Sequence, residues 1–307
     1  MENSEIAILI PCLNEAQTLE KVITDFRSVL PNSKIYVFDN NSTDNSVEIA
    51  ERFGATVIPE PRPGKGNVIN LMFNSVVADY YIMVDGDDTY PAEASPDLLK
   101  PVMEGKADMA VGARLSEYTD KSFRSCHMFG NILVRKLINW IYRSNLTDIL
   151  SGYRAYSKKV VEKVPVISKG FEVETELTSQ MLYCNLKIVE VPISYRERPE
   201  GSTSKINTFV DGFRILWMLF SLFMLFKPLT FFGLVGLLFM AAGLAAGSVP
   251  INDYLSTADH YVSHLPLAVL ASGLVITGMI NVFLGIVLHF VNWRFKELND
   301  VVTRRKN

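Results

Sequence analysis

Two long runs near the carboxyl end constrain this chain most. Residues 229–247 and 265–288 contain no Asp, Glu, Lys or Arg. As helices rising 1.5 Å per residue they reach roughly 30 Å or more, enough to cross a bilayer core. The uncharged run 215–226 before them is too short to span. There Phe209, Phe213, Leu216, Trp217 and Phe220 recur at helical spacing around Asp211 and Arg214, which predicts an interfacial helix over 206–228 ending at Lys227-Pro228. Lys227 precedes the first span, and Arg294, Lys296, Arg304, Arg305 and Lys306 follow the second. The loop between them holds Asp253 and Asp259 but no Lys or Arg. This bias predicts a multi-pass protein of the cell's inner (cytoplasmic) membrane with both termini and the N-terminal part cytoplasmic. Gly233, Gly236, Gly243 and Gly247 in one span, and Gly273, Gly278 and Gly285 in the other, allow close helix contact and hence a homo-oligomer, although Gly is also ordinary in spans.

The charges lie elsewhere. Residues 1–205 hold 23 Lys+Arg against 28 Asp+Glu, so no basic excess argues for nucleic acid. Cys12, Cys126 and Cys184 are odd in number and lack paired spacing, as in a reducing compartment. The apolar run Ile6–Ile10 is too short for a signal peptide. It reads instead as a buried strand stopped by Pro11. Helical spacing follows over Glu15–Leu30, then a strand over Ile35–Phe38 and a helix through Phe53 capped by Ser42 or Thr43. A strand over Ala55–Ile58, a helix over Lys65–Ala78 and a strand over Tyr80–Val84 complete a βαβαβαβ rhythm. That rhythm predicts a mostly parallel sheet with helices on both faces and ligands beyond the strands' carboxyl ends. Further on, Met109–Gly112 reads as a strand, Met128–Tyr142 and Phe171–Tyr183 as helices, and Lys187–Tyr195 as an edge strand because of Pro192. The polar loop Arg196–Lys205 marks the boundary, giving domains 1–205, 206–228 and 229–307.

Chemistry gathers at the strand ends. Val84-Asp85-Gly86-Asp87-Asp88 puts carboxylates at a Gly turn, suited to a hard dication such as Mg2+ or Mn2+ or to a simple acidic turn. Pro11-Cys12-Leu13-Asn14-Glu15 and Asp39-Asn40-Asn41-Ser42-Thr43-Asp44 are polar loops after successive strands. Asp39 there can accept from a base or ribose, or cap a helix. Pro63-Gly64-Lys65-Gly66-Asn67 resembles a phosphate cradle without the full Walker spacing. Asp148 orients an acceptor, helps bind metal or caps a loop with Thr147. Glu174 and Glu176, two apart, cannot share a helix face, so at most one enters a site. From Lys121 to Arg143 the chain has five basic residues and no acid, beside Trp140 and Tyr142. That is either a solvated face or a surface for anionic headgroups.

The runs PCLNE, DNNSTD, PGKGN, VDGDD, VGAR, DILSGYR and RPEGSTSK, in this order ahead of membrane helices, resemble the family 2 glycosyltransferases, in particular polyprenyl-phosphate sugar synthases of the dolichyl-phosphate mannose synthase type. The resemblance implies an α/β, GT-A type nucleotide-sugar-binding domain. It also implies transfer of a hexose from UDP- or GDP-hexose, UDP favoured, to polyprenyl phosphate with inversion, as a lipid-linked donor for cell-envelope glycosylation. By the same resemblance Pro11, Asn14, Glu15, Asp39 and Lys65 contact the nucleotide, and Asp85 and Asp87 the metal. Arg114, Asp148, Arg154, Arg198, Ser202 and Lys205 line the acceptor side, and a phosphate acceptor makes Arg124, with Arg114 and Arg198, a candidate clamp for it. Two rival readings are a processive polysaccharide synthase and a non-catalytic scaffold or transporter subunit. The first is disfavoured because Gln180 is followed by Met181-Leu182-Tyr183-Cys184 rather than by x-x-Arg-Trp.

Overall fold

The computed structural model describes residues 4–114, 125–170, 172–196, 217, 220–221, 223–256 and 261–306, with backbone alone for 125–130, 296 and 298–306. The chain divides into two compact units, Met1–Met218 and Leu219–Asn307. The first is built on a seven-stranded sheet. In chain order its elements are β1 (Ile6–Cys12), α1 (Leu19–Val29), β2 (Lys34–Asp39), α2 (Ser46–Arg52), β3 (Thr56–Pro59), α3 (Lys65–Ser75) and β4 (Tyr80–Met83). Then come α4 (Ser95–Met103), β5 (Met109–Arg114), α5 (Ser125–Tyr142), β6 (Arg154–Ser157), α6 (Lys158–Lys163), α7 (Val173–Tyr183) and β7 (Ile188–Ile193). The strand order is β3-β2-β1-β4-β6-β5-β7. All strands run one way except β6, which is antiparallel to both β4 and β5.

Alternation along β1 sorts the core into two layers. Ile8, Ile10 and Cys12 pack with Leu19, Val22, Ile23 and Phe26 of α1 and with Leu98, Leu99 and Val102 of α4. Ala7 and Leu9 face the other way, toward Val68, Ile69 and Met72 of α3 and Val173, Leu177 and Met181 of α7. Burial, then Glu15, pushes the Cys12 thiol up to about 12, so it behaves as a core residue.

Pro11 does not stop β1, which runs on to Cys12. Leu9 O accepts from Val84 N, so Pro11, two residues on, presents its missing N–H to the same side, beyond the end of β4. Ser42 and Thr43 do not cap α2 either. Ser42 Oγ accepts from Asn14 N and Thr43 N donates to Asn14 Oδ1, while Asp44 Oδ1 receives Ser46 N. The elements α4, β6 and α6 were not expected from the sequence; β6 is four residues long, beginning at a buried Arg, and gives no clear alternation. β7 closes the order at an edge, where Pro192 is tolerated.

The second unit holds α8 (Pro228–Ser256) and α9 (Leu265–Lys306), both longer than the runs that predicted them. The apolar stretches Pro228–Ser256 and Leu265–Phe295 are long and apolar enough to cross a membrane. At 1.5 Å per residue they extend about 43 and 46 Å. The two helices pack through small residues: a Cβ on Gly236 would lie 2.7 Å from Gly278 O, and one on Gly278 would lie 2.7 Å from Gly236 O. Gly243 meets Val275 and Ala271 in the same way. These glycines serve the hairpin itself, while Gly233 and Gly273 meet nothing within 4 Å. Most of the predicted interfacial helix lies outside the described residues.

Candidate active site

The carboxyl ends of β1, β2 and β4 bring three loops together, and side chains tie them to one another. Asn14, held at φ 52, joins the first loop to the second through Ser42 and Thr43. Glu15 N donates to Ser46 Oγ at 2.9 Å. Thr18 Oγ1 donates to Gly86 O at 2.6 Å, linking the first loop to the acidic turn. A Cβ on Gly86 would collide with the Glu15 carboxylate, so the glycine is what lets that side chain lie against the turn. Asp39 is largely buried at the end of β2 and accepts from Ser42 N at 3.2 and 3.3 Å. Pro11, Asn14, Glu15 and Asp39 therefore share one rim.

At the centre lies a charge cluster that spans three elements. Lys65 Nζ, from the start of α3, sits 2.6 Å from Asp85 Oδ1 and 2.6 Å from Glu174 Oε1 of α7. Burial pulls the ammonium's pKa down, but the two carboxylates more than reverse this, so Lys65 stays charged at neutral pH. A Cβ on Gly152 would come within 2.5 Å of Asp85 Oδ2, so that backbone closes over the carboxylate from the other side. Asp87, 5% exposed, accepts from Thr89 Oγ1 at 2.6 Å. Asp88, at φ 58, is turned to Lys21 (2.7 Å) and Arg196 (3.4 Å).

The Gly-rich turn before α3 is not an open phosphate cradle. Gly64 N donates to Asn40 Oδ1 at 2.8 Å and Gly66 N to Lys169 O at 3.1 Å. A Cβ on Gly64 or Gly66 would strike the backbone of Ser168 and Lys169. These glycines admit a neighbouring loop rather than a ligand. Lys65 itself points to two carboxylates, which occupy two of its three ammonium donors.

Among the described residues no three His, Cys, Asp or Glu side chains converge as a metal cage. The chemistry present still fits Mg2+ or Mn2+. Asp85, braced by Lys65, and the buried Asp87 stand on one turn at the end of β4 and supply hard oxygen donors. Such ions are commonly held by one or two carboxylates together with substrate phosphates. Asp87 and Asp85 are the residues that would hold the ion.

On the far side of β5, Arg114 and Asp148 form a two-pronged pair. Nε lies 2.7 Å from Oδ2 and Nη2 lies 3.0 Å from Oδ1, and Arg114 N also donates to Oδ2. The guanidinium stacks over the Tyr195 ring, 5.4 Å from its centroid. Asp148 thus orients Arg114. A shallow recess beside the pair is lined also by Asn131, Ile132 and Arg135 of α5 and by Thr147, Ile149 and Leu150.

Arg154 corrects the sequence expectation. It is fully buried, and its guanidinium donates to Ser151 O, Ile149 O, Glu174 O and Thr178 Oγ1 at 2.8 to 3.1 Å. It ties the loop before β6 to the start of α7, where Glu174 reaches Lys65, and lines no open acceptor face. Arg154→Leu is expected to destabilise the protein by about 3 kcal/mol or more, since buried carbonyls lose their donors. Thermal unfolding measures this; an unchanged melting temperature with a raised acceptor KM would restore the acceptor role. Arg124, Arg198, Ser202 and Lys205 lie outside the described residues.

Gly152 and Thr89 also touch the cluster without having been singled out for it. Of the two α7 acids, Glu174 faces Lys65, while Glu176 accepts from Ile167 N and Ser168 N. The spacing restricted the choice to one but did not say which.

Comparison with known proteins gives the family and the fold. The sequence model "Glycosyl transferase family 2" matches residues 7–165. Glycosyltransferase AglJ of Haloferax volcanii is 30% identical over 282 residues, covering 92% of this chain and 91% of that protein. A dolichyl-phosphate hexose transferase of the same organism is 26% identical over 208 residues, 68% of this chain and 89% of its own length. Among solved structures, glucosyl-3-phosphoglycerate synthase of Mycobacterium tuberculosis with Mn2+, UDP-glucose and phosphoglyceric acid superposes at a TM-score of 0.58 and 21% identity, over 72% of this chain and 80% of that one. That likeness establishes the GT-A type α/β fold. With the family match spanning half of its length and a relative aligned along nearly all of it, this chain belongs to glycosyl transferase family 2.

Proposed function

We propose that the protein transfers a hexose from a nucleoside diphosphate hexose, with UDP favoured, to polyprenyl phosphate at the cytoplasmic face of a membrane, inverting the anomeric carbon. The observation that carries this reading is the acidic turn of Asp85 and the buried Asp87 at the end of β4, with Asp85 braced by Lys65, in a chain that also has two candidate spans. The name of the dolichyl-phosphate hexose transferase relative supports a lipid phosphate acceptor. The fold accommodates UDP-glucose in glucosyl-3-phosphoglycerate synthase, which supports the donor class. The basic flanks of the spans support an anchor whose ends both face the cytoplasm.

In this reading the Asn14 and Asp39 loops hold the base and ribose. Lys65 and Gly152 fix Asp85, so Lys65 acts on the phosphates through the carboxylate it orients. The residues that would hold Mg2+ or Mn2+ are Asp87 and Asp85, and what such an ion supplies when bound is stabilisation of charge on the departing diphosphate. The sugar C1–O bond to the β-phosphate breaks with its electron pair leaving on the nucleotide, while an acceptor phosphate oxygen forms the new bond to C1. No proton has to move, because a phosphate monoester with a second pKa near ~6 is already largely dianionic at neutral pH. Asp148 then serves as the partner that aims Arg114 at the acceptor phosphate, not as a base. Arg198, Ser202 and Lys205 are assigned to the same acceptor through the family resemblance, and Arg124 as a further cation suited to clamp its phosphate.

The test is transfer of radiolabel from a panel of UDP- and GDP-hexoses to undecaprenyl phosphate by purified protein with Mn2+ or Mg2+. Labelled lipid extractable into organic solvent is the expected product. Release of free sugar alone, or no consumption of any donor, would refute the reading.

A further inference from the structure

The outer side of α5 carries a stripe that the proposed chemistry does not use. Val134, Ile138 and Ile141 are buried, whereas Leu133, Lys136, Trp140 and, just past the helix, Arg143 are exposed. They recur three and four residues apart and so share one side of the helix. Trp140 is 60% exposed and Leu133 40%. Tyr142 does not belong to the stripe, since its hydroxyl oxygen is buried.

Chemistry selects the partner. Every charge from Ser125 to Arg143 is positive, and the first acid that follows, Asp148, is paired with Arg114. Protein interfaces are depleted in Lys, whereas a lipid headgroup layer favours this mixture. There an indole sits at the polar boundary while Lys and Arg lay their stems on apolar surface and keep their charges at the phosphates. We propose that the Leu133–Lys136–Trp140–Arg143 side of α5 rests on the phosphate layer of an anionic lipid surface. The proposal uses the reading of α8 and α9 as spans only for the nearness of a bilayer. Its consequence is local: α5 also lines the recess beside Arg114 and Asp148, so docking brings that recess to the depth of lipid phosphates.

The chain has three tryptophans, so Trp217→Phe with Trp293→Phe leaves Trp140 as the sole reporter. The full chain is placed in nanodiscs of phosphatidylglycerol brominated near the headgroup end of the acyl chain. Trp140 emission is expected to be quenched by the bromines and shielded from acrylamide. Each cation near an anionic surface strengthens docking about fivefold, so Lys136→Gln with Arg143→Gln, or a phosphatidylcholine disc, is expected to lose most of the quenching and the shielding. Equal acrylamide access in both lipids without bromine quenching overturns the proposal. Shielding without bromine quenching that grows with the number of copies per disc also overturns it, in favour of a second chain. Should the chain stay outside the discs, the span reading fails, and the same Trp140 signal with brominated phosphatidylglycerol vesicles decides the α5 face separately.

Discussion

Replacing Lys65 by methionine is expected to lower stability by about 3 kcal/mol, since removing one partner of a buried ion pair leaves uncompensated charge behind. Two carboxylates are stranded at once, Glu174 with its side chain 6% exposed and Asp85 at 23%. Because Asp85 is partly in contact with water, the lower end of the usual range applies. In a domain of this size that loss lowers the melting temperature by roughly 6–12 °C. The double variant Lys65→Met with Glu174→Gln removes one stranded charge and is expected to recover part of the stability but little turnover, because Asp85 still lacks the ammonium that orients it. A melting temperature untouched by Lys65→Met would show that the cluster carries no such energy. Full activity in the double variant would free Asp85 from dependence on Lys65.

Asp87→Asn should leave the fold intact, since an amide oxygen can still accept from Thr89 Oγ1. It removes a negative charge where the acidic turn would grip a dication. Loss of one preorganised electrostatic contact of this kind typically costs about 10²–10³ in kcat. Initial transfer rates and Mn2+ binding in the presence of nucleoside diphosphate should fall together, with an unchanged melting curve. Turnover equal to the parent protein would rule out the metal role.

The repeating strand–helix pattern and the polar loops after β1, β2 and β4 were legible because each is a short contiguous signal with its own physics. The Lys65–Glu174 contact was not. Its partners are far apart in sequence, and every residue from Val173 to Met181 is buried, so α7 lacks the one-sided pattern that tells a reader which way a side chain faces. Arg154 misled for a related reason. An Arg after a Ser-Gly-Tyr turn usually faces water, and only the arrangement of three carbonyls and a hydroxyl around it makes burial tolerable. The glycines before α3 looked like anion-binding residues because the same residue also serves where two backbones must touch.

The mutual bracing of the loops after β1, β2 and β4 bears on attempts to alter donor preference. Transplanting residues 39–44 alone from a relative would strand Asn14, whose amide and side chain both bond there, and through Thr18 would disturb the turn that carries Asp87. Chimeras that exchange the three segments as a set should keep their geometry, whereas single-segment grafts should lose activity before they change which nucleotide they accept.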